Sequence, residues 1–327
     1  MASFWSSIPE MDKALMTVST IIGEATASQN PIIRDALSDI FGNRGKMLRP
    51  GLMILSARFG KKNPKTVYPL AAAVELLHTA TLVHDDVIDD SPLRRGLPAP
   101  HIRFGKKDAV LIGDFLLSRC FLLAAEHTSP DNAVTLGRAI SAICTMELEQ
   151  DAERFRINDS LRSYLRKIIG KTALLFSLSC HVGALQTKAE NGVTERLRRI
   201  GYNIGMAFQI IDDILDYTGD PDTLKKPIGN DLRAGLATLP LICALRRDDG
   251  RLRGLLRPQQ AESASGWAKV PVDSIIPLVH EMGGVTEARK YAQRYTDRAL
   301  REIEKLPDIP EKVHIRSLAQ NLLFRSY

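Results

Sequence analysis

Two aspartate clusters in the sequence have the same pattern of acidic residues. The first occupies positions 84–90 and reads HDDVIDD, and the second occupies positions 209–216 and reads QIIDDILD. In each cluster the first aspartate and the aspartate four residues later lie on one helix face. Like charges repel at that spacing, and at a helix C-terminus they also oppose the macrodipole. The pattern therefore favours a bound divalent cation, and Mg²⁺ that bridges carboxylate and phosphate oxygens is the usual case.

Two other interpretations of the clusters compete with a magnesium site. A single acidic helix end is often only a solvated surface, but a duplicated pattern that twice follows a long apolar segment argues against this. A di-iron carboxylate bundle needs two Glu-x-x-His motifs. Glu75 and His78 form one such motif and Glu311 and His314 form another, but neither includes an aspartate of the two clusters, so this signature does not account for them.

Basic residues stand close to both clusters in the sequence. Arg94 and Arg95 follow the first cluster, and Lys225 and Lys226 follow the second. Two further segments add cations, and each of them alone could be surface charge: Lys46 to Pro50, which contains Lys46 and Arg49, and Lys171-Thr172. Carboxylates for metal together with basic groups for phosphate predict a site that binds more than one diphosphate.

Apolar residues recur at helical spacing along nearly the whole chain, which predicts an all-α protein. Proline-bearing loops are predicted at 91–101 and 219–230, directly after the two clusters. No shift in composition divides the chain, so we predict one domain over residues 1–327. Helices are predicted at 10–28, 31–42, 47–60, 66–89, 107–126, 130–157, 160–187, 193–217, 233–247, 272–282, 286–304 and 310–323.

The composition narrows the function classes. Lys plus Arg is 44 against 38 for Asp plus Glu, and this net charge of +6 is not gathered in one run, so we predict no nucleic-acid partner. The four cysteines lack metal-ligand spacing, which is typical of reduced cytoplasmic thiols. The N-terminus does not read as a signal peptide, and no run approaches about 18 apolar residues, so no transmembrane segment is predicted. Peripheral contact with a membrane surface stays open.

From Gly45 to Arg233 these motifs resemble the trans-isoprenyl diphosphate synthase family, and within it the hexaprenyl, heptaprenyl and octaprenyl synthases most. The resemblance implies an all-α, single-domain antiparallel helix bundle around a deep central cavity, with the two clusters facing each other across its mouth. It also implies a homodimer, or a heterodimer with a small subunit.

The resemblance assigns roles to individual residues. Asp85, Asp89 and Asp212 would hold magnesium, three ions in all, and Asp216 would support them through water. Asp86 and Asp213 would be outer-shell carboxylates. The allylic diphosphate would be held by Arg94, Lys171 and Lys226, isopentenyl diphosphate by Lys46, Arg49, His78 and Arg95, and the reacting centre would be lined by Thr172 and Gln209. Catalysis would rest on Asp85, Asp89, Asp212, Lys171 and Lys226.

The implied activity is head-to-tail condensation of isopentenyl diphosphate onto an allylic primer by ionisation, condensation and elimination. A long product for a quinone side chain is expected. The alternatives are a shorter-chain geranylgeranyl synthase, a class I terpene cyclase, and a catalytic subunit that needs a non-catalytic partner. Met146 and Leu236 depart from the family pattern at positions that often carry Gly and Lys.

Product length is predicted from the helix that precedes the first cluster. Ala80, Leu77 and Ala73 lie five, eight and twelve residues before Asp85. Short-chain members of the family carry an aromatic ring at the position of Ala80, which closes the tunnel. From Ala80 to Ala73 the helix rises roughly 10 Å, room for about two more isoprene units, so we expect an all-trans product of roughly six to eight units.

Overall fold

A computed structural model describes residues 4–42, 45–94, 96–154, 159–219, 228–256 and 271–321. These residues are almost entirely α-helical, which confirms the predicted fold class. The described residues also contain one short β-hairpin, in the loop after the first cluster. Its two strands have two residues each, and β1 (Leu93–Arg94) pairs antiparallel with β2 (Leu97–Pro98).

In chain order the helices are α1 Met11–Ala25, α2 Pro31–Gly42, α3 Leu48–Ala57, α4 Tyr68–Ile88, α5 Pro100–Phe104, α6 Lys106–His127, α7 Pro130–Ala152, α8 Leu161–Ile168, α9 Leu174–Gln186, α10 Asn191–Thr218, α11 Asn230–Arg233, α12 Leu239–Leu245, α13 Arg251–Leu256, α14 Val272–Glu281, α15 Gly284–Glu304 and α16 Pro310–Asn321. The twelve predicted helices are found in order, but the predicted helix 233–247 is shortened to α12, and the short helices α5, α11 and α13 were not predicted. A 3₁₀ turn, Pro64–Val67, leads into α4, and Asn63 begins it by accepting the Lys65 backbone N–H at 2.9 Å.

The contacts divide the chain into two compact units. The first unit comprises Met1–Arg138, Leu175–Gly201 and Leu306–Ile315, and the second comprises Ala139–Leu174, Tyr202–Lys305 and Arg316–Tyr327. The first aspartate cluster belongs to the first unit and the second cluster to the second unit. The assignment of residues 1–327 to one domain stays a prediction.

Helix α4 is the central element of the first unit. It is rich in Ala and Leu, which favour helix formation, and proline stands in its first turn, where no backbone donor is lost. It packs most extensively against α6 and also against α1 and α3. A tight point in that packing is Gly113 on α6, because a Cβ there would lie 2.2 Å from Nε2 of His84. The aspartate-bearing end of α4 is thus fixed on α6.

The second unit is built around the C-terminal part of α10. Its buried core includes Tyr164 and Ile168 of α8, Ile210, Ile214 and Tyr217 of α10, and apolar residues of α12 and α14. His280 on α14 contacts the Tyr217 carbonyl oxygen at 2.9 Å. The second cluster therefore lies on a helix whose inner face is covered by three others.

The sequence predicted one uninterrupted helix at 160–187, and the structure interrupts it. A π-helical turn, Ile169–Ala173, lies between α8 and α9. A Cβ at Gly170 in this turn would lie 2.3 Å from the Met146 sulfur, so glycine allows α7 to pack directly on it. Single π turns inside helices are frequent at functional sites. This one contains Lys171 and Thr172.

Two helical stretches, Pro64–Ile88 and Leu161–Gln186, are long and apolar enough by composition to cross a membrane. The sequence analysis did not identify them, because it required an uninterrupted apolar run and isolated polar residues interrupt both stretches. In each, 67% of the apolar window is buried inside the structure, as in core helices.

Candidate active site

The first aspartate cluster forms the C-terminal end of α4. Asp85 and Asp89 are half-buried, whereas Asp86 is only 1% exposed. The Asp89 backbone N–H donates to the Asp85 carbonyl oxygen at 2.7 Å, which closes the last turn of the helix. Asp90 then adopts the left-handed conformation, with φ 50°, and ends it. The two aspartates at i and i+4 spacing thus share one partly accessible face.

The buried Asp86 is neutralised by Arg94 from the hairpin. The Nε of Arg94 donates to both carboxylate oxygens of Asp86 at 3.0 Å, and its Nη2 also contacts Oδ1. A bidentate guanidinium–carboxylate pair is among the stronger polar contacts in proteins. Arg94, which is predicted to bind the allylic diphosphate, is therefore held at the first cluster by Asp86, the middle aspartate of that cluster.

Asp90 and His84 attach the cluster to α6. The Nζ of Lys106 lies 2.9 Å from Oδ1 of Asp90, and this hydrogen bond lowers the pKa of Asp90. The Nε2 of His84 lies 3.2 Å from the Val110 carbonyl oxygen and 3.4 Å from Oδ1 of Asp114. Neither contact was predicted from sequence, because the residues that share each contact are well separated along the chain.

Different faces of α4 have different environments. His78, Thr81 and Asp85 lie on one face and are half-buried. The three predicted chain-length residues are almost fully buried, with exposures of 2% for Ala73, 1% for Leu77 and 1% for Ala80.

The chain-length residues lie on the side of α4 that faces α6. The thiol of Cys120 on α6 hydrogen-bonds to the Leu77 backbone, and His84, seven residues later, contacts the same helix. Residues seven apart share a helix face, and Ala80 lies between them on that face. The side chain of Ala80 therefore packs toward α6, and its role in product length stays a prediction.

The residues assigned to isopentenyl diphosphate lie in the first unit where the structure describes them. Arg49 is 7% exposed, and its guanidinium lies 4.8 Å from the centre of the Phe176 ring. Lys46 lies just before α3, with its Nζ 5.6 Å from the centre of the Phe4 ring. His78 lies on the open face of α4. Arg95 and Lys226 lie outside the described residues.

The second cluster, in the second unit, has the same pattern of burial as the first cluster. Asp212 and Asp216 are half-buried, whereas Asp213 is only 5% exposed. The Tyr164 hydroxyl donates to Oδ2 of Asp213 at 2.7 Å, and Nε2 of Gln209 donates to Oδ1 at 2.8 Å. Burial raises the pKa of Asp213 to about 7, and the two hydrogen bonds oppose that rise.

Two predicted residues of the reacting centre contact each other in this unit. The Thr172 hydroxyl donates to Oε1 of Gln209 at 2.6 Å. Lys171, next to Thr172 in the π turn, is close enough for its charge to lower the pKa of Asp213. The structure thus brings together four of the predicted site residues, which are Lys171, Thr172, Gln209 and Asp213.

Asp216 accepts backbone hydrogen bonds from the start of α11. Its two carboxylate oxygens accept from the N–H groups of Asn230 and Asp231, each at 3.0 Å, and its carbonyl oxygen accepts from Gly229 at 2.8 Å. Burial raises the pKa of Asp216, and these hydrogen bonds oppose that rise. Gly229 has φ 76°, and a Cβ there would lie 2.4 Å from Cγ1 of Val272. Asp216 therefore holds the backbone at the start of α11.

The donor chemistry of the clusters fits a hard divalent ion. Within the described residues no group of three or more His, Cys, Asp or Glu side chains could hold a metal ion alone. Each cluster instead offers two half-buried carboxylates at i and i+4 spacing. Oxygen donors of this kind, completed by phosphate oxygens and water, suit Mg²⁺ or Ca²⁺ rather than zinc or iron.

Comparison with known proteins identifies the family. The model of the polyprenyl synthetase family matches residues 30–270. The chain belongs to this family. Heptaprenyl diphosphate synthase component 2 of Geobacillus stearothermophilus is 35% identical over 313 residues, which cover 96% of each chain.

Solved structures support the same assignment. A polyprenyl synthase from Caulobacter crescentus, complexed with calcium and isoprenyl diphosphate, has a TM-score of 0.89 at 34% identity and covers 97% of this chain and 96% of its own. A geranylgeranyl pyrophosphate synthase from Lactobacillus brevis has a TM-score of 0.89 at 36% identity and covers 98% and 99%.

Family membership confirms three predictions. The chain is a prenyltransferase of the trans-polyprenyl diphosphate synthase type with an all-α isoprenoid synthase fold. A divalent metal agrees with the calcium in the Caulobacter crescentus complex. The roles of individual residues remain predictions, because similarity of whole chains does not test them.

Proposed function

We propose that this chain is a long-chain trans-polyprenyl diphosphate synthase that adds isopentenyl diphosphate units to an allylic diphosphate primer. One structural observation carries the proposal. In both clusters two carboxylates at i and i+4 spacing are half-buried, while the middle aspartate is buried and held by a side chain assigned to the substrates, Arg94 or Gln209. The long-chain relative at 35% identity supports a product of roughly six to eight units.

The outer carboxylates are the proposed metal ligands. Asp85, Asp89 and Asp212 would hold Mg²⁺, three ions in all, and Asp216 would support them through water. When bound, the ions would offset the negative charge that develops on the leaving diphosphate.

The basic side chains hold the substrates in the proposed mechanism. Arg94, Lys171 and Lys226 bind the allylic diphosphate and stabilise it as it leaves, which gives an allylic cation. Lys46, Arg49, His78 and Arg95 bind isopentenyl diphosphate so that its double bond reaches the cationic carbon. One carbon–carbon bond forms, and a proton then passes to the departed diphosphate. Thr172 and Gln209 line the reacting centre, and apolar walls keep water from the cation.

A second copy of the chain is the proposed partner at α6. Val110 and Leu111 are 41% and 55% exposed, and Phe121 and Leu122 are 42% and 49% exposed. Eleven residues are about three helical turns, so the two pairs lie on one face of α6. An apolar stripe of this kind is typical of an interface between subunits.

A heterodimer is the alternative assembly, and a relative named component 2 of heptaprenyl diphosphate synthase supports a test for it. The mass of the purified chain in solution, measured before and after Leu111→Glu, checks the homodimer. We expect a dimer that dissociates in the variant, and a monomer in both would leave the small subunit as the partner. A cytoplasmic location stays a prediction.

A product assay tests the proposed function. The purified chain would receive radiolabelled isopentenyl diphosphate, an allylic primer and Mg²⁺, and reverse-phase chromatography would resolve the products. Labelled products of six to eight units are expected. A four-unit product would favour the geranylgeranyl alternative, which the Lactobacillus brevis structure supports. An unlabelled hydrocarbon made from the primer alone would contradict the synthase and indicate a cyclase.

A further inference from the structure

Four side chains of the second unit form one continuous hydrogen-bonded chain. The Tyr164 hydroxyl donates to Oδ2 of Asp213 at 2.7 Å, and Nε2 of Gln209 donates to Oδ1 at 2.8 Å. Oε1 of Gln209 in turn accepts from the Thr172 hydroxyl at 2.6 Å. Tyr164 is only 4% exposed and lies at the end of this chain away from Thr172. None of the expected catalytic roles uses it.

The direction of each hydrogen bond follows from the chemistry of the groups. The Tyr164 hydroxyl and the Gln209 amide nitrogen both donate to Asp213, whose two carboxyl oxygens accept. Gln209 must therefore turn its amide nitrogen to Asp213 and its carbonyl oxygen to Thr172. The hydroxyl of Thr172 has one hydrogen, and that hydrogen is used on Gln209. The remaining capacity of the Thr172 oxygen is two acceptor lone pairs.

We propose that Tyr164 is a positioning residue for the condensation: by holding Asp213 it fixes the Gln209 amide, so that Thr172 presents acceptor lone pairs to the allylic cation. This inference rests on the proposed function, because it takes Thr172 and Gln209 as the lining of the reacting centre. An oxygen that can only accept suits an electron-deficient carbon, whereas a hydroxyl free to rotate would present its proton for part of the time.

The local backbone supports a fixed Thr172. Thr172 is 4% exposed and lies in the π turn, which Gly170 packs closely against Met146. Tyr164 and Ile168 form the buried face of α8, directly before that turn. Tyr164 thus ties α8 to α10 at Asp213, forty-nine residues later in the chain.

The test compares two tyrosine-to-phenylalanine variants of the full chain. Tyr164→Phe removes the donor to Asp213, and we expect kcat for condensation to fall roughly ten-fold with little change in KM for either substrate. Tyr217→Phe is the matched control. Tyr217 is 1% exposed in the same unit, and among the described residues its hydroxyl hydrogen-bonds to Thr238, at 3.4 Å. We expect its kcat to stay within about two-fold of the wild type. Melting curves of both variants are recorded beside the assay.

A double-mutant cycle separates positioning from a purely structural role. Thr172→Val removes the acceptor oxygen with little change of shape. If Tyr164 acts through Thr172, Tyr164→Phe should lower kcat roughly ten-fold in the wild type and less than about two-fold in the Thr172→Val background. Equal fold-changes in both backgrounds would contradict the proposal.

A second variant keeps the test decisive if Tyr164→Phe is poorly folded. Asp213→Leu keeps roughly the size of the side chain but removes both acceptor oxygens, so that neither Tyr164 nor Gln209 can donate to it. A normal kcat in this variant would overturn the inference. The wild-type assay distinguishes a failure of this inference from a failure of the proposed function. If the wild type elongates the primer and Tyr164→Phe is fully active, only the role of Tyr164 is refuted. If the wild type elongates nothing, the proposed function is refuted.

Discussion

The two aspartate clusters share one sequence pattern but stabilise their buried middle aspartates differently. Asp86 is compensated by charge, through Arg94 from a hairpin that follows it directly. Asp213 is held by neutral donors, Tyr164 and Gln209, from two helices. A guanidinium that is one-third exposed can also contact a phosphate, whereas a buried phenol serves geometry alone. The first cluster therefore suits the binding of anions, and the second suits the fixed orientation of the reacting centre.

The outer aspartates of the two clusters should contribute equally to turnover, because each would hold metal. We expect Asp85→Ala and Asp212→Ala each to lower turnover by roughly three orders of magnitude while the fold is retained. Steady-state elongation at saturating Mg²⁺ measures this, with circular dichroism as the folding control. Asp90→Asn is a matched control, because Asp90 is exposed and pairs with Lys106. Near-normal turnover in either alanine variant would remove that cluster from the metal site.

The basic residues of the first unit should separate the two substrates. Arg94→Ala is expected to raise KM for the allylic primer by roughly ten-fold or more, and Arg49→Ala to raise KM for isopentenyl diphosphate instead. Initial rates with each substrate varied in turn measure both effects. Equal and small effects on the two substrates would indicate general, salt-screened surface charge.

Arg94→Ala should also destabilise the fold, because it leaves the buried Asp86 without its charged partner. A loss of about 1–3 kcal/mol in the free energy of unfolding is expected. Denaturant unfolding measures it, and the double variant Arg94→Leu with Asp86→Leu should recover part of the loss. No recovery would mean that Arg94 stabilises the hairpin by other contacts.

The sequence was informative wherever function depends on spacing within one helix. The i and i+4 aspartates, the all-α fold and the loop that begins after the first cluster follow from local pattern alone, whereas most of the second predicted loop, 220–227, lies outside the described residues. The pairing of Tyr164 with Asp213 does not, because forty-nine residues separate them and no periodicity relates the two positions. The π turn at Ile169–Ala173 was also not predicted, and its close contact with Met146 joins residues that are far apart in the sequence.

Product length tests which face of α4 borders the growing chain. Ala80→Tyr is expected to shorten the main product to about three units if the tunnel passes Ala80. Ala80 is 1% exposed on the side that faces α6, so a ring there should also cost about 1–3 kcal/mol of stability by overpacking. Thr81→Phe on the half-buried face is the comparison variant. A folded Ala80→Tyr enzyme that makes the full-length product would place the tunnel elsewhere.

The smallest effect concerns stability in acid, and it comes from His181 in the first unit. Burial lowers the pKa of His181, and nearby Arg198 acts in the same direction against Glu195. The unfolded chain therefore takes up this proton at a higher pH than the folded protein does. The contribution of His181 to the free energy of unfolding is complete above the ordinary histidine pKa of 6.5. It is lost as the pH falls through 6.5 towards the lowered pKa of the folded protein. Urea unfolding of the wild type and of His181→Gln between pH 5 and pH 8 tests this. The variant should show a flatter dependence on pH below 6.5, and identical slopes would mean that other groups account for the acid sensitivity.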